Sequence, residues 1–483
     1  MVHADDQAPM LDDGLSVGVD AGAPAEDPTE VSEWLWSEAA GGNDLASQRW
    51  GLVAPAGPAG ARLLDAIAPL RRWREAEQDA AAPVHRLAAP MDAADAMRWK
   101  RCYVRRDHDL DRELPRYWLI LGDLDQISAS VQRALASDGF CGRLAFDSVD
   151  GYRAYADKVV RWERRAAGSA GQGSPDSEPL ASAADALLHT VHDGTAASVS
   201  GYRALMAPGL EILRQRWQRG HVQARSLRAL GDVADKCGTV REFLQIAAEG
   251  RPRVVLSHAH GEGAPRAGWR STALQRRYQG AVSFGGGARL SGREVADGRF
   301  LPGGVWILLA CFGAGTPTES GYRVWLEELY RVGHVGRELG AVFDTLARER
   351  PFIAALPKAA LANPDGPLGF IGHIDLAWTY SFMDLGLGAP HERPGRFMNV
   401  MQSLLAGDRL GVAYRALFRA LGEVNTELST LMERARRGRV WSRRERAQRA
   451  HLWMSRQDLA GYVLLGDPAA RLALARERSD ERA

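Results

Sequence analysis

Four short, mainly apolar runs constrain this chain more than anything else in it. They are "YWLIL" in 117–121, "RVVLS" in 253–257, "VWILLA" in 305–310 and "LGFIG" in 368–372. None alternates polar with apolar, so each reads as a strand buried on both faces, the pattern of a parallel sheet covered by helices. Between them lie stretches with helical spacing. Leu64, Ile67, Leu70 and Trp73 recur at helical intervals, as do Leu339, Val342, Phe343 and Leu346. "RWGLVAP" adds a short strand, and "GRLAFDSVDGYRAYADKVV" (142–160) begins as a strand and continues as a helix. Thr239 and Glu242 form a T-x-x-E capping box ahead of the helix that feeds "RVVLS". Alternating helices and buried strands predict an α/β fold, with a mainly parallel sheet flanked by helices. No repeat recurs at a fixed period.

The 483 residues, 46% of them hydrophobic, are enough for a large core. Residues 1–30 are acidic, rich in small side chains and free of Lys and Arg, which predicts a mobile tail. Residues 31–165 read as an N-terminal α/β subdomain. Residues 166–182, centred on "AAGSAGQGSPDSEP", read as a flexible linker. Residues 183–475 then form the larger domain, and 476–483 a tail. No stretch has the basic start and apolar core of a secretory signal, and none is apolar for long enough to span a bilayer. A cytoplasmic protein without membrane contact is the expectation. The net charge of +1 gives no overall field that would attract nucleic acid. The basic run "RARRGRVWSRRERAQR" (434–449) has no stacking platform of aromatic residues, so a solvated or packed helix face is expected there rather than a nucleic-acid site. The four cysteines, at 102, 141, 237 and 311, form no C-x-x-C pair, so neither a disulfide framework nor a cysteine zinc site is indicated.

Two of the buried runs end in reactive side chains. "VVLSHAHGEG" delivers His258 and His260, and "WILLACFGAG" delivers Cys311. Ligands of open parallel sheets bind beyond the carboxyl ends of strands, so neighbouring runs would bring imidazole and thiol to one edge. A histidine can then deprotonate or pair with the thiol. The N–H groups of Gly261 and Cys311 are candidates for an oxyanion hole. Thr316 and Glu319, with Pro317 between them, read as a further capping box, placing a helix directly after the turn that follows Cys311. Two other readings are open. Cys311 alone can be a small buried residue. The two histidines can be zinc ligands of an HxH motif in a zinc hydrolase, although Glu262 and Gly263 stand where that motif needs Asp and His.

Taken together, these residues resemble the caspase-like cysteine peptidases, closest to the bacterial gingipain-like and CHAT proteases. Caspases carry their histidine roughly 50 residues before the cysteine, which matches the separation of His260 from Cys311. "LSHAHGEG" is similar to the caspase-type "SHG", and the histidine directly before glycine, His260, takes the role of base. "ACFGAGTP" resembles the CHAT and gingipain-like cysteine motif and lacks the glutamine of caspases. "YWLILGD", "YQGAV" (278–282), "GFIGHIDLAWTYSF" (369–382) and "LLGDPAARL" (464–472) extend the likeness over about residues 35–475.

The resemblance implies a cysteine endopeptidase that needs no cofactor and acts on a protein substrate. In such bacterial systems the substrate is often encoded nearby, for example a pore-forming protein. A basic residue before the scissile bond would require a carboxylate in its pocket, with Asp375 and Asp384 as candidates; His373 and Trp378 are the other candidate substrate contacts. The rival of a different class is a catalytically silent caspase-like scaffold that binds a protein partner through the same groove.

Overall fold

The computed structural model describes residues 41–104, 114–168, 181–231, 238–333, 346–385, 390–436 and 441–475. The expected tails at 1–30 and 476–483, most of the expected linker, and the helix-spaced Leu339, Val342 and Phe343 lie outside the described residues.

Ten strands form the central sheet. In chain order they are β1 (Trp50–Pro55), β2 (Val84–Leu87), β3 (Tyr117–Leu121), β4 (Phe140–Leu144), β5 (Ala184–Thr190), β6 (Ala224–Leu230), β7 (Arg253–His258), β11 (Val305–Leu309), β14 (Gly369–His373) and β17 (Tyr462–Leu465). The remaining strands are short: β8 (His260–Gly261), β9 (Val282–Ser283) and β10 (Arg289–Leu290) form a three-stranded sheet, and β12 (Gly315–Thr316) pairs with β13 (Phe352–Ile353) and β15 (Met383–Asp384) with β16 (His391–Glu392). The sheet order is β2-β1-β3-β4-β17-β14-β11-β7-β5-β6. All neighbours are parallel except β14 and β17. The sheet therefore consists of two parallel halves that run in opposite directions and meet at one antiparallel seam. Strands from 31–165 and from 183–475 share this single sheet, joined through β17.

The expected strands form because their side chains have nowhere else to go. Every residue of β3 and β11 is buried, and so are the first five residues of β7. Each fully buried Leu, Ile or Val contributes roughly 1.5–3 kcal/mol. The helical stretch in 57–78 is two helices, Gly57–Ala66 and Ala68–Gln78, which abut at Ile67 because Pro69 cannot donate to the preceding turn. The helix after β4 runs over Val149–Gly168, into the first residues of the expected linker.

The seam is held by the "LLGDP" segment. Asp467 is fully buried and accepts hydrogen bonds from Trp50 Nε1 (3.0 Å) and Arg74 Nε (2.8 Å). Arg74 also makes two bonds to Glu163. The basic run at 434–449 packs in part against its neighbours: Arg443 donates to the Val332 carbonyl, and the Arg449 guanidinium lies over the rings of Trp325 and Trp441. No described helix is long and apolar enough to cross a membrane.

Candidate active site

The carboxyl ends of β7 and β11 are direct neighbours, with His258 opposite Leu309 and the Ala259 N–H donating to the Leu309 carbonyl. Past that point the chain leaves the sheet. His260 and Gly261 form β8, which pairs antiparallel with β9, the strand that starts at the last residue of "YQGAV". The Glu262 N–H donates to Ala281. Bonded and unbonded pairs alternate along an antiparallel ladder, so Gly261, opposite Val282, turns its own N–H away from β9. A Cβ at Gly261 would stand 1.8 Å from the Cys311 carbonyl oxygen and 3.1 Å from the Cys311 nitrogen. Only glycine permits that approach. The histidine segment and the cysteine segment are thus packed backbone against backbone.

After Cys311, Phe312 takes a left-handed φ of 57°, and its N–H donates to the Asp375 carbonyl. Gly313 bonds back to Ala310, and Ala314 bonds to the His373 carbonyl. The chain then enters β12, which pairs with β13. The capping box expected at Thr316 and Glu319 is not formed: Thr316 is buried in that strand pair, and the next helix starts at Arg323. The turn chemistry after the thiol serves to bend the chain off the sheet edge and stitch it to β14.

His260 is partly exposed and held from behind. Its Nε2 lies 2.8 Å from Thr195 Oγ1 and 3.4 Å from Asp193 Oδ2. The Thr195 hydroxyl donates to Asp193 Oδ1 at 2.8 Å, so toward histidine it acts as acceptor. That assigns the ring proton to Nε2 and leaves Nδ1 as the basic nitrogen. Burial pushes the Asp193 carboxyl upward, but hydrogen bonds from Thr195 and Ser198 and the nearby His260 hold it below the usual range. Asp193 follows β5, and Thr195 caps the helix Ala196–Gly201. The sequence signal for both was the strand end "HTVHDGT", beside the histidine strand.

Cys311 and His260 line one cavity of about 310 Å³. The Cys311 thiol is half-buried and donates to the Ala377 carbonyl at 3.5 Å; burial pushes it up to about 11. Among the described residues, thiol and imidazole share no hydrogen bond. His258 lines the same cavity, and burial with the neighbouring His260 and His192 lowers it to about 4.

The other candidates fall into two groups. Trp378 lines the cavity. Asp375, Asp384 and His373 do not. His373 is fully buried, accepts from the Asp375 N–H, and sits 3.1 Å from the Asp458 carbonyl; burial lowers it to about 4. Asp375 accepts from Ser320 Oγ and the Leu376 N–H, and burial raises it to about 6. Asp384 is neutralised by Arg393 (2.5 Å) and Arg396 (2.8 Å). A carboxylate that the sequence reading missed, Asp458, sits fully buried behind the cavity wall. It accepts from the N–H groups of Trp378 and Ser381 and from Tyr322 Oη, and burial raises it to about 7. It holds in place the loop that carries Trp378 and Phe382 into the cavity. Among the described residues, no group of three or more His, Cys, Asp or Glu side chains is arranged to hold a metal ion.

No protein-family model matches the chain, and no curated protein matches it in sequence. Solved structures match it in fold. One, described as "Structure of Protease", is 13% identical, with 89% of this chain and 80% of the other aligned at a TM-score of 0.50. The α/β architecture is shared with that solved protease. A crystal structure of gingipain R, described as an Arg-specific cysteine proteinase, is 13% identical over the same shares at a TM-score of 0.49. A complex of the pro- and mature domains of RgpB from Porphyromonas gingivalis is 11% identical over 88% and 81% at 0.43.

Proposed function

We propose that the chain is a cysteine endopeptidase with Cys311 as nucleophile and His260 as general base and acid. The observation that carries this reading is the placement of both residues on one cavity at adjoining strand ends, with His260 oriented by Thr195 and Asp193. In this scheme the Cys311 thiol leaves the Ala377 carbonyl and gives its proton to His260 Nδ1. Sγ bonds to the scissile carbonyl carbon. The N–H groups of Gly261 and Cys311 donate hydrogen bonds to the oxyanion. His260 passes the proton to the departing amine nitrogen, and the C–N bond breaks. Water, deprotonated by His260, then cleaves the thioester, releasing the carboxyl product and restoring the thiol. Asp193 acts through His260 as a positioning residue. The protein substrate and a cytoplasmic place of action belong to the same proposal.

One observation favours a second reading, a silent scaffold that binds a partner: the thiol is raised by burial and bonds to Ala377, not to the imidazole. A peptide library incubated with wild type and with Cys311→Ala separates the two. Cleavage by wild type alone supports the peptidase. Equal cleavage by both, or none by either, supports the scaffold.

A further inference from the structure

The cavity beside Cys311 differs in kind from the one the sequence led us to expect. Its walls come from Leu309, Ala310, Leu376, Trp378, Phe382 and Tyr462, with His258 and small residues completing the lining. Among the described residues, no Asp, Glu, Lys or Arg lines it. Asp384 is occupied by two arginines, and Asp375 by Ser320 and its own loop. Asp458 faces the backbone behind Trp378 and Ser381. Besides the proposed dyad, the ionisable groups among the described lining residues are His258 and Tyr462; burial lowers the first to about 4 and raises the second, so neither carries charge at pH 7. A lysine, arginine or aspartate side chain entering here would give up its hydration and meet no opposite charge among the described lining residues outside the proposed dyad, which is strongly unfavourable. A large apolar side chain would lose nothing and would displace water from Leu309, Trp378 and Phe382. About 310 Å³ accommodates one such side chain.

We infer that this site selects a large apolar residue, such as Phe, Leu or Met, as the residue that carries the scissile carbonyl. The inference rests on the peptidase reading above and names its substrate class. The wall supplies the selectivity: Phe382 and Trp378 offer aromatic faces, and Leu309 and Leu376 offer aliphatic ones.

The test is a set of tripeptidyl acyloxymethyl ketones that differ only in the residue next to the ketone: Phe, Leu, Arg or Asp. Each is incubated with the full chain and with Cys311→Ala. Labelling rates are read by intact mass, and the site by peptide mapping. We expect labelling at Cys311 with Phe and Leu at least about a hundredfold faster than with Arg or Asp. Labelling at Cys311 that is as fast or faster with Arg or Asp overturns the apolar assignment and leaves the peptidase reading standing. No labelling at Cys311 by any of the four, or equal labelling of Cys311→Ala, overturns the peptidase reading and the assignment with it.

Discussion

The two halves of the sheet each present a carboxyl edge, and the two edges are filled differently. Beyond β3 and β4 stand Asp123 and Asp147. Both are bonded to Lys358 Nζ, at 2.7 and 2.8 Å, and Asp123 also accepts from the Ile353 N–H. Arg143, fully buried, donates to the Gly122 carbonyl. Polar groups at this edge are thus paired within the protein. Beyond β7 and β11 the edge opens into a cavity, with the His260 imidazole partly exposed and the Cys311 thiol at its wall. Parallel strands create a crevice at their carboxyl ends in either half. Whether it becomes a site depends on whether a side chain from elsewhere, here Lys358, fills it.

Substitutions at the two edges should therefore separate activity from stability. The largest expected effect is on activity: His260→Ala should lower peptide hydrolysis by about 10³-fold or more, within the range for general acid–base groups, while the thermal midpoint barely moves. Its counterpart is Lys358→Met, which strands the Asp123 carboxylate. A loss of about 3 kcal/mol in denaturant unfolding is expected, the low end for a broken buried pair because Asp147 is exposed, with activity per folded molecule retained. If Lys358→Met abolished activity in the folded protein, the division of labour between the edges would be broken.

Gly261→Ala comes next. Its methyl must displace the Cys311 backbone, so about a hundredfold drop in kcat is expected, the scale of an ångström-sized misplacement. Asp193→Asn should cost roughly tenfold, in kcat more than in KM, because it loosens the orientation of His260 without removing the base.

A further effect concerns pH. Asp458 is raised from its ordinary carboxyl value to about 7 in the folded state, so the folded protein binds the extra proton between about 4 and 7. Its contribution to stability is then greatest at the acid end and declines as pH rises through that window. The thermal midpoint of Asp458→Asn, relative to wild type, should climb across the same window. A constant difference would mean that Asp458 does not titrate there.

Much of this was legible in the sequence because local pattern and tertiary demand agree. The apolar runs at 117–121, 253–257 and 305–310 became central strands, the Thr239–Glu242 box caps its helix, and His260 and Cys311 each lie two residues beyond the end of one of two neighbouring strands. What was not legible depends on partners distant in the chain. Nothing in "LLGDP" says that β17 inserts antiparallel at the seam. Asp384 looked available for a substrate cation because Arg393 and Arg396 claim it only after the β15–β16 hairpin closes. Asp458 reaches the cavity loop from a helix in a different part of the chain. Thr316 carries every local mark of a helix cap, yet pairing with β13 takes its backbone first.

The open edge is claimed to perform acyl transfer through one sulfur, and trapping that intermediate is the most direct test. An activated peptide ester is mixed with the protein, quenched in acid within the first turnover, and the adduct located by mass spectrometry. A thioester on Cys311 is expected in wild type, with its accumulation in His260→Ala blocked at the acylation step, and no adduct in Cys311→Ala. An adduct on another residue, or turnover of the ester by Cys311→Ala at the wild-type rate, would contradict it.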